Sequence, residues 1–389
     1  MMEFTGRWVF SGQPVRISVQ DGVIASIHHV EEHDDTAGAW IAPGFWDLQV
    51  NGYQGYDYSG PDLDDRQMTA VMRLLAAAGT THHVPTIVTS SNDRITRNVR
   101  VIRDARGRSA ALEAAIPMIH LEGPYISGLD GHRGAHDPQY VRDPSYDEFT
   151  QWKEASGGLV RMVTLAPERK GALEFIERLS GEGIIVAVGH TAAEPSCVRE
   201  AIAAGARLST HLGNGSPAML PRLSNFVWEQ LAADELWAGI IADGFHLPPA
   251  VLRVFSRAKG LSRLVLVSDV AVCGGYPPGR YRWGQIEVEV YPDGHLGLAG
   301  TEYLAGAGHL LDRCVAQFAR HSGHELSQVI ALVTDNPARL LGVPGPGTLT
   351  PQTGAPADLV QFRWRQEAER LCIEHTVLGA AGLHVDAAE

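Results

Sequence analysis

Histidine and carboxylate side chains stand at the ends of short apolar runs in this sequence. Four runs end on Glu122, His190, His211 and Asp269, respectively. Two neutral imidazoles and one carboxylate are typical ligands of Zn²⁺ and similar divalent ions, and such a three-ligand set leaves a position open for water. A further carboxylate beside it can act as general base and then as general acid. The pattern therefore predicts a hydrolytic metal centre in which Asp269 moves the proton.

The opposite interpretation is that these residues are structural. An isolated histidine at a strand end is more often a core or surface residue than a ligand, and we interpret His82, His83 and His120 in that way. An aspartate at such a position often caps the next helix. A metal site requires several suitable residues at once, and the coincidence on four separate runs favours one.

The elements that must position these side chains are strands alternating with amphipathic helices. This rhythm over about 250 residues predicts an α/β fold, a (β/α)₈ barrel, whose active site lies at the carboxyl ends of the strands. A doubly wound sheet is the alternative, but no G-x-G-x-x-G or P-loop motif follows any strand. The apolar runs are 45–50, 82–88, 116–122, 160–166, 184–190, 207–211, 237–243 and 264–269.

The two ends of the chain have β character instead. Asp21-Gly22 separates two alternating segments and is a strong hairpin signal. We expect residues 1–43 and 345–389 to combine in a small β-sandwich domain beside a barrel domain of residues 44–344.

Finer signals mark individual elements. Asp293-Gly294 predicts a second hairpin after the eighth strand, and a helix is expected from about residue 303. Ser145-x-x-Glu148 and Thr191-x-x-Glu194 are capping-box patterns that predict the starts of two further helices.

Composition excludes several classes of protein. The chain has 389 residues, 44% of them hydrophobic, and 32 basic against 45 acidic residues give a net charge of −13. Such an acidic protein is a poor candidate for binding nucleic acid or an anionic membrane, so we expect neither partner. Four scattered cysteines without a C-x-x-C pair are typical of reduced thiols, and the N-terminus lacks a signal-peptide pattern; a cytoplasmic location is therefore expected.

Several longer strings resemble one family, in order, over nearly the whole chain. The chain is similar to the N-acetylglucosamine-6-phosphate deacetylases of the amidohydrolase superfamily. HLEGP followed by G-A-H-x-P is the most specific part of this resemblance. The strings are APGFWDLQVNG (42–52), HLEGPYIS (120–127), RGAHDP (133–138), VTLAPE (163–168), VAVGHTAAE (186–194), STHLGNGSP (209–217), IADGFHL (241–247) and LVSDV (266–270).

The resemblance implies a role for each matching residue. Glu122, His190 and His211 would hold the metal, Asp269 would be the catalytic base and acid, and His136 would polarise the acetamide carbonyl. A phosphate would be bound by an arginine, whose guanidinium suits that geometry. The implied substrate-binding residues are Gln49, Asn214, Gly215, Arg222, His246, Thr301 and Glu302.

Some positions depart from the family pattern. Gln49 and Asn51 stand where many superfamily members carry the two histidines of a second metal site, so we expect one divalent metal per subunit, with Zn²⁺ as the default. Gly213 and Ser216 replace the aromatic residue and the methionine that are usual after His211. Glu302 adds a negative charge close to the expected sugar or phosphate.

The function implied is hydrolysis of N-acetylglucosamine 6-phosphate to glucosamine 6-phosphate and acetate by a homodimer. The alternative is the same chemistry on an unphosphorylated or galactosamine-type sugar, or on another N-acyl compound, and Glu302 motivates it. A non-catalytic barrel is a third possibility, which the presence of all three ligands and Asp269 disfavours.

Overall fold

Strands and helices alternate along most of the chain, of which the computed structural model describes residues 1–31, 38–343 and 351–386. The strands are β1 (Met2–Trp8), β2 (Pro14–Gln20), β3 (Val23–His29), β4 (Ala39–Pro43), β5 (Phe45–Val50), β6 (Gly52–Tyr53), β7 (Tyr56–Asp57), β8 (Thr80–Val88), β9 (Ile119–Glu122), β10 (Val160–Leu165), β11 (Ile185–Val188), β12 (Leu208–Ser209), β13 (Trp237–Ile240), β14 (Leu264–Leu266), β15 (Gly279–Trp283), β16 (Ile286–Val290), β17 (Leu296–Leu298), β18 (Leu359–Arg363), β19 (Cys372–Leu378) and β20 (Leu383–Asp386). The helices are α1 (Asp65–Ala76), α2 (Asn92–Arg108), α3 (Ala110–Ala115), α4 (Tyr146–Ala155), α5 (Ala172–Gly181), α6 (Pro195–Ala203), α7 (Phe226–Ala232), α8 (Pro249–Lys259), α9 (Leu311–Ser322), α10 (Leu326–Ala331) and α11 (Asp335–Leu341).

Eight parallel strands form the barrel that the sequence predicts. They pair in chain order, β5-β8-β9-β10-β11-β12-β13-β14, and at least one helix follows each strand. The first and last strands meet, because Val50 and Val270 form a parallel bridge and the Asp269 amide donates to the Gln49 carbonyl at 3.0 Å. The (β/α)₈ prediction is confirmed, and the carboxyl ends of all eight strands face one side.

Helix α1 illustrates how the sequence attaches a helix to this barrel. Its N-cap, Asp64, accepts a hydrogen bond from the Gln67 amide, which satisfies one of the free amides of the first turn. Its buried residues recur at helical spacing, so one face packs against the barrel while the other stays in water. They are Met68, Val71, Met72, Leu75 and Ala76.

The two ends of the chain share one sheet of seven strands, in the order β20-β19-β18-β4-β1-β2-β3. The sheet curls, so that the Phe4 ring on β1 lies 5.9 Å from the His375 ring on β19, although three strand positions separate them. An apolar core is enclosed between the two halves, as in a sandwich. The expected boundary between residues 344 and 345 falls at residues outside the described ranges.

Tight turns carry two of the predicted hairpins. Asp21 and Gly22 both have positive φ, 51° and 76°, as the two-residue turn between β2 and β3 requires. A Cβ at Gly22 would lie 2.1 Å from the Gly379 carbonyl oxygen, so the turn also depends on close backbone approach. The second hairpin, β16–β17, gains a third strand, β15, that the sequence did not indicate.

None of the helices in the described parts of the chain combines the length and apolar character needed to cross a bilayer.

Candidate active site

The side chains at the strand ends converge above the barrel. The Glu122 Oε1 atom lies 2.9 Å from His211 Nε2 and 3.1 Å from His190 Nε2, and the two histidine nitrogens are 3.0 Å apart. All three side chains are buried. The structure therefore brings together the three residues expected to bind a metal.

Backbone strain accompanies this convergence. His190, His211 and Asp269 all have positive φ, at 49°, 30° and 52°. Side chains other than glycine rarely adopt this region, and residues held there cluster at functional sites. The strand ends thus bend in an unfavourable way that turns these three side chains toward the barrel axis.

The donor set fits a divalent transition metal. His190 Nδ1 lies 3.0 Å from the His132 carbonyl oxygen, so it donates there and leaves the Nε2 lone pair facing Glu122. Burial opposes the charge on Glu122, but the neighbouring imidazoles of His190 and His211 lower the pKa of the carboxyl below its ordinary value. A buried carboxylate and imidazole nitrogens in contact would repel unless a proton or a cation stood among them, and a metal ion satisfies all of them.

His136 approaches the same centre from the loop after β9. Its Nε2 atom lies 3.2 Å from His190 Nε2, and its Nδ1 atom lies 2.8 Å from the Thr89 hydroxyl. Among the described residues, Glu122, His136 and His190 form one group whose ligand atoms lie close enough to share a metal ion. Burial and the neighbouring His190 lower the pKa of His136 to about 3, so its ring is neutral.

Asp269 lies beside this cluster and is held by two amides. Its Oδ1 atom accepts from Gln49 Nε2 at 2.9 Å and from Asn51 Nδ2 at 2.8 Å. Burial, reinforced by the charge of Glu122, raises the pKa of Asp269 to about 6. A carboxyl that titrates near neutral pH can both accept and return a proton.

Gln49 occupies a different place from the one expected of a substrate-binding residue. Its Nε2 atom also donates to Glu122 Oε1 at 3.1 Å, so one amide joins the metal cluster to Asp269. Gln49 is not among the residues that line the main cavity. In this structure, Gln49 and Asn51 hold the carboxylates of Glu122 and Asp269 in place by hydrogen bonds.

A cavity of about 520 Å³ opens above the cluster, a volume typical of small-molecule sites. Its lining includes the expected residues Asn214, Gly215, His246 and Glu302. Asn214 Nδ2 is buried without a hydrogen-bond partner among the described residues, which leaves a donor free for a ligand.

Two of these lining positions are tightly constrained. A Cβ on Gly215 would lie 2.8 Å from His190 Nδ1, so only glycine fits beside that ring. His246 Nδ1 lies 2.8 Å from Asp243 Oδ2, which orients the ring, and despite burial the nearby His246 lowers the pKa of Asp243.

Two expected substrate contacts lie elsewhere. Arg222 is exposed and does not line the cavity of its own chain. Thr301 is exposed as well, and its hydroxyl donates to the Leu298 carbonyl at 2.8 Å, which shapes the turn that presents Glu302.

Other lining residues carry no motif and were missed from the sequence. Trp283, at the tip of the β15–β16 hairpin, donates from Nε1 to Asp57 Oδ2 at 3.0 Å and covers one side of the cavity. Arg94, in the first turn of α2, is the sole arginine or lysine among the lining residues that the structure describes. The sequence signal for Arg94 is its place in the first turn of the helix that follows β8.

The three histidines interpreted as structural lie in the barrel wall, where His83 and His120 are buried and His82 is partly buried. The His83 Nε2 atom bonds the Tyr58 hydroxyl at 2.7 Å, and His120 Nε2 bonds the Thr164 hydroxyl at the same distance. His82 stacks on Trp46 with ring centroids 4.0 Å apart.

Comparison with known proteins places this site in a family. The chain is 38% identical to the N-acetylglucosamine-6-phosphate deacetylase of Danio rerio, over 82% of this chain and 80% of that protein. It is 37% identical to the enzyme of that name from Bos taurus, over 91% of this chain and 86% of that protein. The chain belongs to the N-acetylglucosamine-6-phosphate deacetylase family. No family model matches it.

Solved structures of the family have the same fold. The Mycobacterium smegmatis deacetylase superposes with a TM-score of 0.85 at 30% identity, covering 99% of this chain and 100% of that chain. A variant of that enzyme, in complex with N-acetyl-D-glucosamine-6-phosphate, gives a TM-score of 0.84 at 28% identity over 98% and 99% of the two chains. An enamidase of the amidohydrolase superfamily shares the fold at a TM-score of 0.56 and 13% identity, over 99% of this chain and 96% of that chain.

Proposed function

We propose that this chain hydrolyses the acetamide of N-acetylglucosamine 6-phosphate to glucosamine 6-phosphate and acetate. The observation that carries the proposal is Asp269, held by two amides beside the cluster of Glu122, His190 and His211 at the floor of the cavity. Family membership supplies the substrate class.

One divalent metal, Zn²⁺ by default, would be held by Glu122, His190 and His211. When bound, such an ion lowers the pKa of water and polarises a carbonyl. The burial of all three side chains supports a single metal site made of these ligands. The amides of Gln49 and Asn51 support one metal rather than two, because they already donate to carboxylates and are weak zinc ligands.

Asp269 takes one proton from the attacking water as the new C–O bond forms. It then returns this proton to the amine as the C–N bond breaks, so that acetate and the free amino sugar leave. His136, neutral and facing the same centre, stabilises the negative charge that develops on the carbonyl oxygen. Asn214, Gly215 and His246 orient the sugar from the cavity wall, with Thr301 holding the turn of Glu302.

Arg222 binds the phosphate in this proposal, and it does so from the partner subunit of a homodimer. The exposed loop that carries Arg222 also exposes Met219 (87%) and Leu223 (78%), and Leu129 is exposed as well (60%). Large apolar side chains exposed together are typical of an interface. Such an interface supports a dimer in which this loop reaches the neighbouring cavity.

We also propose a cytoplasmic location and a division of the chain into two domains. All four cysteines are free thiols, two of them buried, which supports a reducing, cytoplasmic environment. The pairing of β18 with β4 supports a small domain made of residues 1–43 and 345–389 beside a barrel of residues 44–344.

Acetate release tests the function directly. We would measure it from N-acetylglucosamine 6-phosphate and from unphosphorylated N-acetylglucosamine, with wild type and Asp269→Asn at known metal content. Strong preference for the phosphate, abolished by the substitution, is the expected result. Activity on neither sugar would contradict the proposal.

Glu302 favours a second candidate, the deacetylation of an unphosphorylated amino sugar. Its carboxylate lines the cavity, and a carboxylate near a phosphate is repulsive. Glu302→Gln tests this effect of the charge. The kcat/KM value for the phosphate ester should rise if the phosphate lies near Glu302. The kcat/KM values for both sugars should stay unchanged if Glu302 faces solvent.

A further inference from the structure

A second group of metal-ligating side chains lies on the small sheet, away from the barrel. His375 on β19 and Asp386 on β20 are directly opposite each other in the antiparallel ladder. His384 stands two residues before Asp386 on the same strand, so its side chain projects from the same face. The backbone register alone therefore places two imidazoles and one carboxylate together.

The contacts within this group are those of a potential ligand set. Asp386 Oδ1 lies 2.7 Å from His375 Nδ1 and 3.2 Å from His384 Nε2, and the ligand atoms of all three lie within 4.8 Å of one another. The Phe4 ring forms T-shaped contacts with both imidazoles, at centroid distances of 5.9 Å and 6.2 Å. Each side chain remains partly exposed, at 40%, 31% and 68% in the order His375, His384, Asp386, so an ion could enter from water.

We propose that His375, His384 and Asp386 bind a divalent transition-metal ion, a site we call the terminal hairpin site. Two imidazoles and one carboxylate suit Zn²⁺, Ni²⁺ or Cu²⁺ and disfavour Ca²⁺ and Mg²⁺, which prefer oxygen ligands. With three protein ligands, the fourth position stays open to water.

The site has a structural consequence for the edge of the sheet. Strand β20 is an edge strand of four residues, and among the described strands it pairs with β19 alone. A metal ion bound by residues of both strands would stabilise the pairing of β20 with β19. The turn between them, residues 379–381, packs against α3 of the barrel and against the Gly22 turn, so the ion stabilises a contact between the sheet and the barrel. Binding to the folded state alone raises stability by mass action.

The test uses the full-length protein with its catalytic metal already loaded. All samples carry Cys372→Ser, because that exposed thiol could itself bind zinc. Zn²⁺ is titrated in, and bound metal per chain is measured after equilibrium dialysis. We expect two equivalents in this background and one in the double variant His375→Gln/His384→Gln.

The matched control is His28→Gln/His29→Gln, which removes two exposed histidines from the opposite edge strand, β3. It should retain both equivalents. Added Zn²⁺ should raise the thermal midpoint of the background and of this control, but not that of the His375/His384 double variant, while acetate release per catalytic metal stays equal in all three.

Two results would overturn the proposal: saturation of the Cys372→Ser background at one equivalent, or a second equivalent that persists in the His375/His384 double variant. Asp386→Asn, which keeps both histidines and the shape of the third side chain, guards against a folding defect. It should weaken the binding of the second Zn²⁺ equivalent and leave the thermal midpoint measured without added Zn²⁺ unchanged.

Discussion

Asp269 is the residue on which the proposed chemistry depends, and its two amide partners make its role testable. Asp269→Asn keeps the shape of the side chain but cannot accept the proton. We expect kcat to fall by at least about a hundredfold, the usual range for a lost general base. Metal content, measured in the same sample, should not change.

The protonation of Asp269 also predicts a pH profile. Burial raises its pKa to about 6, and the group is active as a base only when deprotonated. The kcat/KM value should therefore rise with pH through the region near 6 and level off above it. A profile that falls across this interval would contradict the assignment of the base.

His136 and His211 both face the centre, and the metal content of their variants distinguishes their roles. In the proposal His211 is a ligand, whereas His136 contacts the substrate carbonyl. His211→Asn should therefore lose the metal, and His136→Asn should keep it while kcat drops. Loss of metal from both variants, determined by elemental analysis, would make His136 a fourth ligand, which its 3.2 Å contact with His190 would then explain.

The candidate catalytic residues that end a strand were predictable from the sequence, whereas the hydrogen bonds that support them were not. Glu122, His190, His211 and Asp269 were recognisable because the barrel brings all its strand ends to one face. The supporting hydrogen bonds come from distant segments: Asn51 is 218 residues from Asp269, and Trp283 is 226 residues from Asp57. Spacing along one chain does not encode such contacts.

Among the elements, the eight barrel strands were predictable because each is apolar and bounded by helical segments. The helix expected from about residue 303 begins instead at Leu311. Residues before it form a loop that passes close to another backbone, since a Cβ on Gly308 would lie 1.8 Å from the Gly294 carbonyl oxygen. Part of this segment lines the cavity, and its tertiary contacts override the helical pattern of its sequence.

The two capping-box patterns had different outcomes. Ser145 accepts a hydrogen bond from the Glu148 amide and begins α4 as expected. The second predicted helix is confirmed, since α6 begins at Pro195, but the Thr191 capping box does not form, because Glu194 is the N-cap and the Thr191 hydroxyl donates to Glu168 at 2.5 Å. A carboxylate from the preceding strand end competes for that hydroxyl, and local sequence does not show it.

Asp47 joins the first and last barrel strands and predicts a pH-dependent stability. Its Oδ1 atom accepts from the Gln49 and Ser268 amides, whereas Oδ2 is buried without a partner among the described residues. Burial raises the pKa of Asp47 to about 7, above its ordinary value, so the fold favours the protonated form. Its contribution to stability is complete at low pH and is lost as pH rises through about 7.

Asp47→Asn removes that titration and keeps the accepting oxygen. The free energy of unfolding of the variant, taken relative to that of wild type, should be on the order of 2 kcal/mol higher at pH 8 than at pH 5. Chemical denaturation at the two pH values measures this difference. An equal difference at both would show that Asp47 does not titrate in this range.

The Gly22 turn predicts a large effect from one methyl group. Gly22→Ala places a Cβ against the Gly379 carbonyl, whereas Gly12→Ala, also at positive φ (69°), meets no atom within 4 Å. Both positions have similar positive φ, so the extra loss in Gly22→Ala reports mainly the steric contact. We expect that extra loss to be at least about 1 kcal/mol in thermal or chemical unfolding.

The position of Arg222 predicts complementation between subunits. Arg222→Ala and Asp269→Asn should each be nearly inactive alone. If Arg222 acts in the neighbouring site, a mixed dimer contains one complete site, built from the intact Asp269 of one subunit and the intact Arg222 of the other. After subunit exchange in an equal mixture, activity should recover to about a quarter of wild type.

The control for this experiment is a mixture of Asp269→Asn with His211→Asn. Both substitutions lie in one subunit's own site, so no complete site can form and no recovery is expected. Absence of recovery with Arg222→Ala, at confirmed subunit exchange, would assign phosphate binding to a residue of the same chain, of which Arg94 is the candidate in the cavity.

The pairing of β4 with β18 also sets an order of events during synthesis. Strand β4 leaves the ribosome more than three hundred residues before its partner. At a translation rate of about 5–20 residues per second, its outer edge waits unpaired for roughly a quarter of a minute to a minute. Over that interval the barrel segments emerge one after another beside an open edge that could recruit another nascent chain. This sheet therefore cannot join its two halves until Leu359–Arg363 has emerged.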